Sequence, residues 1–434
     1  MLALLATASP VDATELIRAG RSETILRDAG VLRIEAGGVT YRHTGRALSV
    51  SADSARLWIP DGGLSRARFF GRVTYRDSAR TLAADALTYH PRSELASFRG
   101  GVRVIEQDRL LDARRVTFRK KANLLEAEGA VKLNYSRKRI SFHAPAMTYH
   151  VLADSGLGSG GVQAVRLPET PGDSLYVRSD SMHFADLGDR MRFSGRVRME
   201  HAGIRAHASR GRYFRPADRL ELGGGASAVW IRNHATTADS VTLNAERMRV
   251  YGAGGSTLDR IVLIGAARLH KESGQPEIEG GHEVRADSVV LGMSEGRIVA
   301  IDASGGASAT LTTSDGAGVD LKGGRICMDL PEGNLDSLTV LGMGTGAYVS
   351  SDSTSVSRIS GGSIAIGLED GAVREVLITE SARCTHRSET GKTGNIRLSG
   401  DSVKLTFDRD GLSDVHAEGG VRGRYKPAES GDAP

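Results

Sequence analysis

The sequence predicts an all-β protein built from repeated pairs of strands. Apolar and polar residues alternate along most of its length, and helical periodicity is almost missing. A Gly-x-Val step also recurs with spacings of 34, 29, 29, 31 and 35 residues. The six steps begin at Gly37, Gly71, Gly100, Gly129, Gly160 and Gly195. A repeat of this length indicates one supersecondary unit copied along the chain.

The alternation predicts strands with one apolar face and one polar face. It is most regular between residues 73 and 149, where Arg, Thr, Ser and Lys fill many of the intervening positions. The apolar positions there are Val73, Tyr75, Leu87, Tyr89, Val102, Val104, Val116, Phe118, Val131, Leu133, Ile140, Phe142, Met147 and Tyr149. The one candidate helix, residues 14–29, can also be interpreted as a first irregular pair of strands.

The repeated glycines and acids have local structural interpretations. Glycine at the start of a strand permits a positive φ or a bulge, where the chain would turn from one sheet into another. A small residue and an acid precede several of the other strands, and we expect the acid to cap a turn through its own backbone. These acids are Asp53, Asp85, Asp180, Asp239, Asp287 and Asp401. The Gly-Asp nonapeptide of calcium-binding repeats does not occur.

Composition and spacing suggest how the 434 residues are organised. Hydrophobic residues make up 40% and charged residues 25%, which excludes wholesale disorder. The repeats are regular over residues 14–200 and more divergent over 201–427, with a disordered tail expected at 428–434. Residues 1–13 resemble a truncated export signal, because a short apolar run precedes Ala6 and Ala8 without a basic leader.

Positive charge is concentrated in residues 99–139. This window holds twelve Lys or Arg and five acids, a net charge of +7, whereas the whole chain has a net charge of +5. Such a patch would attract a polyanion, or it is a solvated strand face. Nucleic acid is the weaker partner, because aromatic residues do not interleave with the basic ones to form a stacking platform.

Enzymatic signals are poor. The nucleophile-elbow, P-loop, zinc-protease and dinucleotide-binding motifs are all missing from the sequence. Cys327 and Cys384 form no redox or zinc motif, so they are either two free buried thiols or one disulfide. We therefore expect a protein that is not an enzyme and carries no metal or cofactor.

Three segments carry a resemblance to a known family. Residues 71–104, 110–133 and 400–427 resemble the repeats of the OstA-like (LptA-type) family of periplasmic lipopolysaccharide-transport proteins. The resemblance implies an elongated half-open β-jellyroll, in which two sheets lean together around an apolar groove for acyl chains. It also implies a periplasmic location and a lipid carrier or bridge that acts during transport to the outer membrane.

The resemblance further implies a set of contacts and partners. The fourteen alternating apolar residues named above would line the groove and contact acyl chains. Phosphates would be met by Arg114, Arg115, Arg119, Lys120, Lys121, Arg137, Lys138 and Arg139. The implied partners are lipopolysaccharide or a related glycolipid, other Lpt-type jellyroll proteins through sheet edges, and further copies of the chain end to end.

Two other interpretations stay open. The apolar residues could interdigitate as the dry core of a structural or adhesive β-solenoid. A β-helical enzyme acting on polysaccharides is the enzymatic alternative, with carboxylates such as Asp85 and Asp112 on successive repeats. Because bridge-type relatives are often under half this length, the chain would hold either two or three modules or one unusually long groove.

Overall fold

A computed structural model describes most of the chain as two compact units. The described residues are 15–27, 30–43, 47–60, 63–168, 173–233, 238–252, 258–272, 282–388, 394–408 and 411–426. The first unit comprises Met1–Glu169, Ser174–Val197 and Arg212–Pro216, and the second comprises Thr170–Asp173, Arg198–Gly211 and Ala217–Pro434. The expected signal at 1–13 and the tail at 428–434 lie outside the described residues.

Strands make up nearly all of the first unit. They are β1 (Glu15–Arg18), β2 (Arg21–Arg27), β3 (Gly30–His43), β4 (Leu48–Ile59), β5 (Arg66–Arg76), β6 (Thr81–His90), β7 (Leu95–Glu106), β8 (Arg109–Arg119), β9 (Leu124–Tyr135), β10 (Ile140–His150), β11 (Ser155–Arg166) and β12 (Leu175–Ala185). β13 (Arg190–His201) and β14 (Ile204–Phe214) contain residues of both units. Of the two interpretations of residues 14–29, the helix is wrong and strands are confirmed for the described part, which β1 and β2 occupy.

The second unit continues the same pattern. Its strands are β15 (Arg219–Asn233), β16 (Ala238–Tyr251), β17 (Arg260–Glu272), β18 (His282–Ser294), β19 (Arg297–Thr312), β20 (Gly318–Asp329), β21 (Ser337–Val349), β22 (Ser355–Glu369), β23 (Ala372–Ser388), β24 (Asn395–Asp408), β25 (Gly411–Glu418) and β26 (Arg422–Lys426). Short 3-10 turns lie at Lys120–Ala122, Asp186–Gly188, Arg215–Ala217 and Pro331–Gly333. The described residues contain no α-helix, so the all-β prediction is confirmed.

Each unit is an antiparallel meander in which consecutive strands pair. The pairing runs from β3 to β12 in the first unit and from β15 to β25 in the second. At one end β1 and β2 together pair with β3, and at the other end β25 and β26 together pair with β24. Short hairpin turns suffice for this topology.

The repeated glycines form bulges in the middle of strands. Gly71 has φ of +76° and Gly100 has φ of +80°, and the pairing register shifts at both positions. The predicted positive φ is therefore confirmed, but its predicted position at the start of a strand is wrong. A bulge adds one residue to one strand of a pair and sharpens the local bend and twist. Each long strand thus continues through its bulge.

The acids that precede the glycines lie beside these bulges. A Cβ at Gly71 would overlap the Asp53 carboxylate, and a Cβ at Gly100 would overlap Asp85. Where the bulge contains arginine, the acid pairs with it: Arg72 Nη2 lies 2.6 Å from Asp53 Oδ1. The acid therefore stands over the bulge of the next strand, whereas a turn-capping role was expected.

Two positions depart from that rule. In the backbone register Asp239 lies opposite Arg232, near the start of β16. The bulge on the neighbouring strand β17 instead lies beside Glu246. On β8 the residue over the bulge is Arg114, whose side chain covers Gly129. Proximity to a small residue in sequence is thus not enough to place an acid at a bulge.

Ring contacts show that the meander of the first unit folds back on itself. Three strand spacings in a flat sheet amount to about 14 Å. The rings of Tyr41 on β3 and Tyr89 on β6 nevertheless lie 6.4 Å apart, as do those of Tyr135 on β9 and Phe184 on β12. The strand halves on either side of the bulges therefore form two facing leaves.

The second unit folds back in the same way. The backbone N–H of Ser314, between β19 and β20, donates to Gly371 O between β22 and β23 at 3.0 Å. These two turns belong to opposite leaves, so the edges of the leaves meet there. The sequence predicted that the chain turns from one sheet into another at the start of a strand. Instead, every bulged strand runs through both leaves and contributes one half to each.

Candidate functional site

The fourteen predicted lining residues all lie inside the first unit. Each has an exposed fraction of 5% or less, and they occupy the apolar positions of β5 to β10. Their neighbours in register are also apolar: Tyr75 pairs with Leu82, and Leu82 pairs with Val104. The alternation in sequence thus correctly located the inner face. Contact of this face with lipid stays a prediction.

The two leaves touch directly through these side chains. Tyr75 and Phe98 come from opposite leaves and meet edge to face, with ring centroids 5.4 Å apart. Phe142 and Phe184 also face each other and stack at 4.8 Å with an interplanar angle of 17°. Burial raises the pKa of Tyr75 well above its ordinary value. Side chains therefore fill the space between the leaves of the first unit.

A half-buried arginine joins the edges of the two leaves. Arg109 Nη1, at the start of β8, lies 2.6 Å from Asp154 Oδ1 in the turn after β10 and 3.6 Å from Glu106 Oε2. Its side chain also donates to the hydroxyl of Tyr149. Burial raises the pKa of Tyr149 far above its usual range, so that hydroxyl remains neutral.

A second link lies further along the same seam. Lys138 Nζ, between β9 and β10, lies 2.8 Å from Asp189 Oδ2, after β12. It also donates to the backbone carbonyl of Asp186 at 3.0 Å. The cation and its acceptors come from turns on opposite leaves. The seam of the first unit is therefore closed by at least two cationic side chains.

The structure separates the eight predicted phosphate contacts into three groups. Arg114 and Arg115 lie near the bend of β8. Arg119, Lys120 and Lys121 lie at the end of that strand and in the turn after it, and residues 137–139 lie in the turn beyond β9. Several are already engaged with protein groups. Arg115 pairs with Glu128, Arg119 pairs with Glu126, and Lys121 donates to the Arg92 carbonyl. They do not form one continuous cluster.

The second unit contains an apolar gap between its leaves. Its cavity volume is about 10 Å³, which is close to the space that one water molecule needs. Tyr348 contacts Phe407 beside it at 4.9 Å, and burial raises the pKa of Tyr348 to about 12. The lining residues are Val319, Leu321, Ala347, Tyr348, Ser357, Ile359, Ile366, Val373, Val376, Leu405 and Phe407.

A buried polar pair borders this gap. Ser357 Oγ lies 2.9 Å from His386 Nδ1, and both residues are 2% exposed. Burial lowers the pKa of His386, so the neutral ring is favoured. The sequence analysis did not single out these residues or Arg109. Ser357 and His386 are polar residues at inward positions, and Arg109 is a charged residue at the start of a strand. A polar residue where the alternation predicts an apolar one is the sequence signal that could have identified the first two.

Other chemistry is limited in the described part of the chain. Cys327 and Cys384 are free, and burial raises the pKa of the Cys384 thiol to about 11. No group of three or more His, Cys, Asp or Glu in the described ranges could hold a metal ion. Among those residues, no helix has the length and hydropathy needed to cross a membrane.

Comparison with known proteins adds no assignment. No model of a known protein family matches the chain, and no curated protein matches it significantly. The geometry and the sequence therefore provide the basis for a functional proposal.

Proposed function

We propose that this chain is a non-enzymatic periplasmic lipid carrier or bridge with a half-open β-jellyroll of the OstA-like type. Its ligand is lipopolysaccharide or a related glycolipid, whose acyl chains lie between the two leaves. The observation that supports this most directly is the apolar inner face of the leaves, together with a small apolar space in the second unit that would have to widen to admit an alkyl chain. Burying an alkyl chain there would contribute about 0.8 kcal/mol per CH₂ group.

In the first unit, ligand binding requires the leaves to separate. Its inner side chains contact each other across the interior, so an acyl chain must replace some of those contacts. The Arg109–Asp154 and Lys138–Asp189 pairs at the seam would have to open. Lys138, Arg137 and Arg139 would then be placed to meet the phosphates of the incoming lipid.

The ends of the meanders supply partner surfaces. β1 and β2 pair with β3, while β25 and β26 pair with β24, and none of these four pairs with another strand within the described residues. Unpaired strand edges readily accept a further strand. We propose that related jellyroll proteins, or further copies of this chain, associate through them.

Site-specific photo-crosslinking in cells tests the lipid proposal. A crosslinker at Tyr89 or Tyr348 faces the interior. One at Thr88 or Thr345 lies on the same strand as Tyr89 or Tyr348, respectively, but at a position whose side chain points outward. We expect the inward pair to capture a glycolipid and the outward pair to capture much less. Equal capture from all four positions, or capture from none, would contradict lipid binding between the leaves.

One observation favours the alternative of a structural or adhesive protein with a dry core. All fourteen predicted lining residues are buried against protein side chains. Under that alternative, purified protein would carry no extractable lipid, and alkyl ligands would not shift its melting temperature. The crosslinking experiment and the extraction thus separate the two functions.

A further inference from the structure

An arginine-rich face lies at the C-terminal end of the second unit. It covers the outer side of one leaf, over parts of β22, β23, β24 and β26, and all of its arginines are exposed. We call it the C-terminal arginine face. Its members are Arg358, Arg383, Arg387, Arg397, Arg422 and Arg424.

The strand register places these arginines on one surface. Arg358 pairs with Thr385, which pairs with Arg397, which in turn pairs with Arg424. Residues paired directly in antiparallel strands point to the same side of the sheet, with Cβ atoms about 5 Å apart. Ile359, the residue after Arg358, is buried and therefore points to the opposite, inner side of the sheet.

A second row runs parallel to the first. Arg383 pairs with Ser399, and Ser399 pairs with Arg422. Because residues two apart in a strand share a side, Arg383 lies on the same surface as Thr385 and therefore as the first row. Arg387 is likewise two residues from Thr385 and shares its side, so all six cations occupy neighbouring positions on four strands.

These guanidinium groups lack neutralising partners within the described residues. None of the six forms an ion pair there, whereas outward arginines elsewhere do, such as Arg325 with Asp302 at 2.5 Å. Arg397 stands directly opposite Arg424, and like charges in that arrangement destabilise a sheet. Glu380 and Asp401 are on the same strands, but they lie at the bulges. An external anion would relieve this repulsion.

Apolar side chains border the same end of the sheet. Tyr425 is 62% exposed and Val421 is 50% exposed, and Ile396 and Leu398 are half-buried. These side chains alternate with the arginines along the chain, so they lie on the opposite side of the sheet and leave the arginine face itself polar. Tyr425 pairs with Ile396 and so points away from the arginines, which leaves no aromatic platform on that face for stacking nucleic-acid bases.

We propose that the C-terminal arginine face docks on the phosphate head groups of an anionic lipid membrane. Guanidinium groups suit this task because their planar donors bind phosphate oxygens two at a time. The site goes beyond lipid binding between the leaves and does not depend on it. A membrane contact here would place the gap-containing unit at a lipid surface.

Vesicle co-sedimentation tests the docking. The variant R358Q/R397Q/R424Q removes three charges from the face. The control R178Q/R192Q/R205Q removes three exposed arginines elsewhere. Vesicles of phosphatidylcholine with about one third phosphatidylglycerol supply the anionic surface, since each cation near such a surface strengthens binding about fivefold. We expect the face variant to bind about a hundredfold more weakly and the control to bind nearly as wild type.

Four outcomes would overturn the proposal. Equal losses in both variants would mean that total charge matters and the face does not. Unchanged binding of the face variant, or equal binding to pure phosphatidylcholine, would exclude phosphate recognition by these arginines. Tight binding of a DNA oligonucleotide without vesicle binding would identify a nucleic-acid surface instead. Loss of vesicle binding with intact crosslinking at Tyr89 and Tyr348 would separate this site from the interior.

Discussion

The two units share one backbone plan but fill their interiors differently. At the bulges of the first unit, valine pairs with a small residue on the next strand. The pairs are Val39–Ala52, Val73–Ala84, Val102–Ala113, Val131–Ala144 and Val162–Ser179. The equivalent pairs of the second unit are Ala226–Ala245, Ala267–Ala286, Ala307–Gly323, Gly344–Gly361 and Ala382–Gly400.

Aromatic residues follow the same division. The interior of the first unit includes many buried rings, among them Tyr75, Phe98, Phe142 and Phe184, whereas the described interior of the second has few. Interiors are normally packed to the density of organic crystals, and the smaller side chains of the second unit leave one apolar space of about 10 Å³. The comparison teaches that one backbone plan accepts two kinds of filling, large rings in the first unit and smaller aliphatic side chains with a small residual space in the second.

Removal of a ring should affect the two units differently. Phe142→Ala deletes a fully buried ring that stacks on Phe184, and we expect a loss of about 3–5 kcal/mol in the free energy of unfolding. Phe407→Ala deletes a ring that already borders the gap, so about 2 kcal/mol is expected. Urea denaturation of both variants measures the difference. Equal losses would show that the two interiors are packed alike.

Substitution of a bulge glycine sharpens the comparison. Gly100 and Gly342 have φ of +80° and +78°, but a Cβ at Gly100 meets the Asp85 carboxylate, whereas one at Gly342 meets only Gly324 at 3.5 Å. We expect Gly100→Ala to cost about 2–3 kcal/mol and Gly342→Ala about 1 kcal/mol. Thermal unfolding of each variant against the wild type measures both losses of stability.

Gly101→Ala is the matched control for the bulge substitution. It has a positive φ of +52° but nothing within 4 Å of its added Cβ, so it isolates the backbone contribution. A loss as large as that of Gly100→Ala would mean that contact with Asp85 plays no part.

The smallest effect is expected when one methylene is added. Val116→Leu enlarges a side chain that is fully buried in the first unit, and we expect a loss of about 1–2 kcal/mol. Val373→Leu extends into the gap and should stabilise the second unit by about 0.5 kcal/mol. Urea denaturation measures the two effects: the midpoint should fall for the first variant and rise for the second. Destabilisation by both substitutions would argue that no usable space exists.

Local signals in the sequence predicted much of the fold. Period-2 alternation placed Val116 and Phe118 on the inner face because side chains in a strand alternate regardless of what the strand pairs with. The positive φ of Gly71 also followed from a local property, since glycine has no Cβ to oppose it.

Features that depend on which strands pair, or on how the sheet folds back, could not be predicted from the sequence in the same way. Asp239 follows a small residue as Asp85 does, but only the register shows that it lies away from the bulge. The seam arginine Arg109 meets Asp154 from 45 positions away in sequence, across a fold-back that alternation does not encode. Charge counted along the chain is highest in residues 99–139, whereas the arginines of the C-terminal arginine face come together only across paired strands.

The fold-back has a consequence for how such a chain folds and evolves. The ring contacts and hydrogen bonds described within each unit join strands or turns at most three positions apart, as for Tyr348 on β21 and Phe407 on β24. A meander with such short-range contacts can nucleate at many places and grow strand by strand. Gene duplication could add a hairpin within either unit without disturbing distant strands, and each added hairpin could alter its own bulge residues independently.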